Sequence, residues 1–179
     1  MPNEILEFWF SPRVSKLWFN STPEFDKELK DRFEPLLRRA IAGELSDWKN
    51  SAAGALALAI VLDQFPLNMF RGKAESYATG HLAVAVAKDA IAHGFDSTLP
   101  KSQLAFLYMP LLHSESMADQ NQSVELFEKA ELKGNIAFAK HHREIVRRFG
   151  RFPHRNQALG RVSTPEETAY LASKEGFQG

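Results

Sequence analysis

Ala52-Ala53-Gly54-Ala55-Leu56-Ala57-Leu58-Ala59-Ile60-Val61-Leu62 is apolar on every side of a helical wheel and rich in alanine. A helix without a polar face must be surrounded by other elements, and small side chains let those neighbours approach closely. The stretch therefore reads as the central helix of a helical protein. Working outward toward the N-terminus, Ile5, Leu6, Trp9 and Phe10 mark a short first helix that Pro2 can open and Ser11-Pro12 closes. Ser21 and Glu24 have capping-box spacing, and Pro23 suits a first turn. Phe25, Leu29, Phe33, Leu36, Leu37, Ala40 and Ile41 then form one stripe that ends before Gly43, with a kink expected at Pro35.

On the C-terminal side, Pro66 is expected to limit the central helix. Tyr77 to His93, Ser102 to Met109, Glu115 to Leu132, Asn135 to Phe149 and a segment from Pro165 read as further helices, the last opened by a capping box of Thr164 and Glu167. No segment alternates like a strand between hairpin turns. The fold class is all-α, a bundle or superhelical array of antiparallel helices in a single helical domain over residues 1–179. No fixed-period repeat decides between bundle and array.

Lys and Arg number 22 and Asp and Glu 22, so a phosphate-backbone partner finds no global electrostatic support and nucleic acid is not assigned. The absence of cysteine removes disulfides and thiolate metal sites and agrees with a reducing compartment. Met1-Pro2-Asn3-Glu4 lacks the basic region of a signal peptide, and the apolar run Ala52 to Leu62 falls short of the roughly 20 residues of a membrane span. A soluble, cytoplasmic protein with no membrane partner is expected. Apolar surface left over from helix stacking allows a homodimer.

Three segments are dense in polar groups without a packing reason. Phe149-Gly150-Arg151-Phe152-Pro153-His154-Arg155-Asn156 sets basic and polar side chains among aromatics; Leu62-Asp63-Gln64-Phe65-Pro66 continues to Asn68 and Arg71; Tyr108-Met109-Pro110 runs into His113-Ser114-Glu115. Each joins an apolar helix to a proline and then to side chains able to converge. On the helix from Asn135, rotation of about 100° per residue puts Phe138, His142, Ile145, Val146 and Phe149 on the inward face. His142 is then either a core histidine with satisfied nitrogens or a ligand-binding one. Arg151, His154, Arg155 and Asn156 either recognise an anion, guanidinium being suited to carboxylate or phosphate, or cap helix ends and pair with Asp63 and Glu115, with Arg161 joining either arrangement. Ser114 lacks the Gly-x-Ser-x-Gly turn of a hydrolase and reads as the N-cap of the next helix. Neither His-Glu-x-x-His nor a paired Glu-x-x-His occurs, and no metal and no cofactor are assigned.

These three segments, together with Phe8-Trp9-Phe10, Leu159-Gly160-Arg161 and Ser163-Thr164-Pro165-Glu166-Glu167, resemble the bacterial domain-of-unknown-function family 924 over nearly the whole chain. The resemblance implies a tetratricopeptide-like α-α superhelical bundle and carries no established activity. The family pattern has Arg where this chain has Leu67 and Asp where it has Gly80, so a pair of positions that would interact in relatives is absent here. Leu67→Arg alone should then destabilise, and adding Gly80→Asp should restore stability.

The residues converge on one expectation: a pocket of Asp63, Gln64, Arg71, His113, Glu115, His142, Arg151, His154, Arg155 and Asn156 that binds a small anionic molecule or an acidic peptide end. Arg71, Arg151 and Arg155 would hold the anion, Gln64 and Asn156 orient it, and Asp63 and Glu115 fix the arginines. The same pocket could be an active site with His113 or His154 as general base, assisted by Glu115 as a further catalytic candidate. A third reading makes the cluster structural and puts function on a groove for a protein partner.

Overall fold

The computed structural model describes residues 1–177. The alanine-rich stretch forms most of α3 (Ala52–Met69), in which every residue from Gly54 to Pro66 is buried. Four helices surround it: α1 (Pro2–Trp9), α2 (Pro23–Ile41), α4 (Gly80–Ala92) and α5 (Lys101–Leu112). The chain then continues through α6 (Met117–Lys129) and α7 (Lys133–Phe149), each packed on its predecessor, to α8 (Pro165–Ala172). No strand occurs among the described residues. The all-α reading holds.

Close packing on α3 starts at its first turn. Ser51 Oγ accepts the Gly54 N–H at 3.1 Å, and a Cβ at Gly54 would meet the Trp48 carbonyl oxygen at 2.1 Å. Farther along, Trp9 packs its ring 5.6 Å from Phe65 and 5.8 Å from Phe106, which ties α1, α3 and α5 together. A second, smaller apolar cluster lies at the C-terminal end, where Ile145, Val146, Phe152 and Tyr170 collect Phe149, Leu171 and Phe177. Polar residues singled out in the sequence join the two clusters: His113, at the end of α5, bonds Asp63 of α3 and through its carbonyl Arg155, and Arg155 packs on Phe152.

Several boundaries differ from expectation. α3 runs past Pro66 to Met69, and α5 runs through Pro110 to Leu112. Proline at position 66 removes the N–H that would bond the Leu62 carbonyl. Thr79 Oγ1 supplies the missing donor, at 2.6 Å from that oxygen. α3 therefore has the length of a membrane span, with a mean hydropathy of 1.4, but 83% of it is buried inside the protein, as a core helix is. The N-cap of α2 is Thr22, whose Oγ1 accepts from Phe25 N–H, while Ser21 donates to Asp26 instead. Ser116, not Ser114, precedes α6; Ser114 accepts the Ser116 N–H and donates to Asp119 at 2.6 Å. Phe138, expected inside, is 58% exposed. The capping box of Thr164 and Glu167 forms as expected.

Candidate functional site

Asp63 and Gln64 sit near the end of α3, where burial forces their polar groups to find protein partners. Gln64 Nε2 donates to Asp63 Oδ2 at 2.6 Å. His113, the residue that ends α5, places Nδ1 2.9 Å from both oxygens of Asp63. No hydrogen bond reaches Nε2 of His113 from the described residues. In the neutral ring the carboxylate selects the Nδ1–H tautomer and leaves the Nε2 lone pair open, the arrangement that both a general base and a ligand-holding imidazole require.

The turn Pro153–Arg155 brings the second half of the site. Arg155 Nη2 donates to the His113 carbonyl at 2.8 Å, and the guanidinium carbon lies 4.4 Å from the Phe152 ring and 4.7 Å from that of Tyr77. Its Nε is shielded from water and meets no acceptor. Burial pulls the Arg155 pKa down, while Glu115, Tyr77 and Asp63 act in the opposite sense across space. Among the described residues no carboxylate contacts this guanidinium.

The other arginines of the expected pocket are already paired. Arg71 grips Asp26 with Nε at 2.8 Å and also reaches Asn68; its side chain is 58% exposed. Arg151 makes a two-point contact with Glu167, at 2.7 and 2.9 Å, and Asn156 Nδ2 donates to the same carboxylate and to Ser163. Arg161 clasps Glu115 at 2.8 and 3.0 Å. Thus Arg151 and Asn156 fasten the start of α8, and Glu115 fixes Arg161 and the Phe152 N–H rather than Arg155. The donors of Asn156 are committed there, so an orienting role for that residue gives way to a structural contact, though its Oδ1 is buried without a partner. Burial raises the Glu115 carboxyl, but the bonds from Arg161 and Phe152 outweigh it and hold the group below its ordinary value. Glu167 is held lower still, at about 2, chiefly by Arg151.

Two histidines complete the seam. His142 points inward from α7, with Nδ1 2.9 Å from the Phe138 carbonyl, and His154 has a buried Nδ1 with no partner. Burial, reinforced by nearby His113, lowers the His142 pKa to about 3; burial and the Arg155 charge lower that of His154 to about 4. Both are neutral at physiological pH. The Phe152 ring packs 5.4 Å from His142 and 5.6 Å from His154. No group of three or more His, Cys, Asp or Glu among the described residues has metal-holding geometry.

Residues 5–175 match a family described as bacterial protein of unknown function, DUF924. The chain belongs to that family. A solved structure, that of the protein of unknown function ATU0120 from Agrobacterium tumefaciens, is 41% identical, covers 96% of each chain and superposes with a TM-score of 0.90. No curated protein matches the chain. Within this DUF924 chain, sequence reasoning found Asp63, His113, His154 and Arg155 but missed Tyr77 and Phe152 as the aromatic faces beside Arg155. Tyr77 lies 78 positions away in a short turn with no motif, so nothing in the sequence pointed to it. The Arg155 side chain carried the only signal, since a buried guanidinium favours flat aromatic neighbours. Leu67 is half-buried on α3, and a Cβ at Gly80, the first residue of α4, would meet nothing within 4 Å.

Proposed function

We propose that this protein binds a small anionic molecule or the acidic end of a peptide against Arg155. The observation that carries the reading is the state of that side chain: a guanidinium against two aromatic rings, with a shielded Nε lacking an acceptor and no carboxylate in contact among the described residues. A buried cation without an anion is costly, and a carboxylate or phosphate supplies both the charge and the in-plane acceptors that guanidinium favours. The unpartnered Nδ1 of neutral His154 supports the same site by offering a further polar contact beside it. Arg71, Arg151 and Arg161 already hold acids and take no part.

A second reading has its own observation. The Asp63–His113 pair fixes one imidazole tautomer next to Arg155, which suits His113 as a general base acting on a bound anion, with Arg155 stabilising developing negative charge. Packing of successive helices as neighbours supports kinship with tetratricopeptide-like α-α arrays, and the lack of cysteine supports a cytoplasmic setting.

The test is thermal unfolding against propionate and inorganic phosphate, with Arg155→Lys as the control. An anion that binds the folded state raises the midpoint by mass action. The expected result is a rise that Arg155→Lys abolishes while His93→Gln, on an exposed turn, retains it. Equal rises in both variants would refute binding at Arg155. Turnover of an ester or amide of the bound acid, lost in His113→Gln, would establish the second reading.

A further inference from the structure

A groove of about 570 Å³ runs between α7 and the segment after α8, lined in part by Phe138, His141, Phe149, Tyr170 and Phe177. It lies beside the anion site and does not reach it. Phe177 forms the wall between them. Its ring meets those of His142, at 4.7 Å, and His154, at 5.0 Å, in edge-to-face contacts, and the buried Nδ1 of His154 has no partner. His154 also packs 5.6 Å from Phe152, the ring that flanks the Arg155 guanidinium. One aromatic side chain from the C-terminal segment therefore fills a slot built of two imidazoles, one ring removed from the unpaired cation.

The hold on Phe177 is light. Beyond its ring contacts, the residue is tied among the described residues by one hydrogen bond, its N–H to Tyr170 Oη at 3.2 Å, and it remains half-buried. Tyr77, the other ring beside Arg155, is also half-buried, so a small anion has an approach that leaves Phe177 in place.

We propose that the Phe177 ring is an internal occupant of an aromatic subsite, and that the ligand class is an aromatic carboxylate whose ring displaces Phe177 while its carboxylate reaches Arg155. This inference rests on the anion-binding reading above. The imidazole walls favour a planar apolar group through edge-to-face contact, and the groove is the path by which it enters.

The probes are phenylpropionate and propionate, which differ by the ring, titrated calorimetrically into the full chain. In wild type the two should bind with similar, weak affinity, because the ring must compete with Phe177. Phe177→Ala should raise the affinity for phenylpropionate about tenfold or more and leave propionate within a factor of two of wild type. Phe177→Leu, which keeps apolar cover if the alanine variant loosens the fold, should raise it less but in the same direction. Arg155→Gln in the Phe177→Ala background should abolish binding of both acids. An unchanged ratio of the two affinities in Phe177→Ala and Phe177→Leu, with propionate binding still dependent on Arg155, would overturn the aromatic subsite and leave the anion site standing. Binding of neither acid in any variant that keeps Arg155 would overturn both.

Discussion

His113 Nδ1 is equidistant, at 2.9 Å, from the two oxygens of Asp63, a residue fifty positions earlier in the chain. The contact joins the end of α5 to the end of α3 and fixes which imidazole nitrogen carries the proton. Asp63→Asn keeps the shape but presents an amide that can donate as well as accept, so the tautomer is no longer fixed. Nitrogen chemical shifts of the His113 ring should report Nδ1–H in the wild type and a mixture in the variant. Stability should fall by about 1–3 kcal/mol, the cost of leaving buried polar groups imperfectly paired. A ring still wholly in the Nδ1–H form in Asp63→Asn would show that Asp63 does not set the tautomer.

His142 and His154 give the fold a defined response to acid. Their pKa values in the folded protein, about 3 and about 4, lie below the ordinary 6.5, so the unfolded chain binds more protons between those limits. Stability is fully present above pH 6.5; the share of His154 is lost as pH falls through about 4 and that of His142 as it falls through about 3. Each histidine contributes a slope of about 1.4 kcal/mol per pH unit in that window. His154→Phe should remove part of this slope, measured by urea unfolding at successive pH values. An identical slope in the variant would mean that His154 titrates normally.

Glu167 works in the same direction over a more acidic range. Its carboxyl is held near 2 against an ordinary 4.5, by Arg151 first and then by the Thr164 N–H and Asn156. The stabilisation is present above pH 4.5 and disappears as pH falls through 2. Glu167→Gln should lower the melting temperature at pH 7 and flatten its decline in that acid window. The wild-type curve reproduced in the variant would refute the assignment.

Legibility in the sequence followed physical range. The Ala52–Leu62 run showed a surrounded helix because composition on every side of the wheel is a local property, and Thr164 with Glu167 showed a helix start because capping acts within four residues. Pro66 misled for a non-local reason: its missing donor is replaced by Thr79, which only the folded chain brings near. The site divides in the same way. Asp63, His113, His154 and Arg155 stood out as polar groups next to apolar helices that had to be buried. Which arginine kept an open charge depended on acids distant in sequence: Asp26 took Arg71, Glu167 took Arg151 and Glu115 took Arg161.

Two glycines should respond oppositely to alanine. At Gly54 a Cβ would lie 2.1 Å from the Trp48 carbonyl oxygen, so Gly54→Ala must push α3 away from the Ser46–Asn50 turn and should cost about 3 kcal/mol. At Gly80, in the first turn of α4, a Cβ meets nothing within 4 Å, and Gly80→Ala should stabilise by about 0.5–1 kcal/mol through the lower entropy of the unfolded chain. Denaturant midpoints read both. Equal shifts of one sign would contradict the packing described at Trp48.

The Thr79 hydroxyl is the donor that lets α3 pass Pro66, and this makes the two side chains energetically dependent on one another. In the wild type, Thr79→Val leaves the buried Leu62 carbonyl without a partner, which should cost about 1–3 kcal/mol. In a Pro66→Ala background the alanine N–H can close the ordinary helical bond to that carbonyl, so the same Thr79→Val change should cost clearly less. The difference between the two costs is the coupling energy of a double-mutant cycle, and a value of about 1 kcal/mol or more is expected because both groups serve one acceptor. Strict additivity would mean that the Leu62 carbonyl is satisfied by another route and that packing alone carries α3 through its proline.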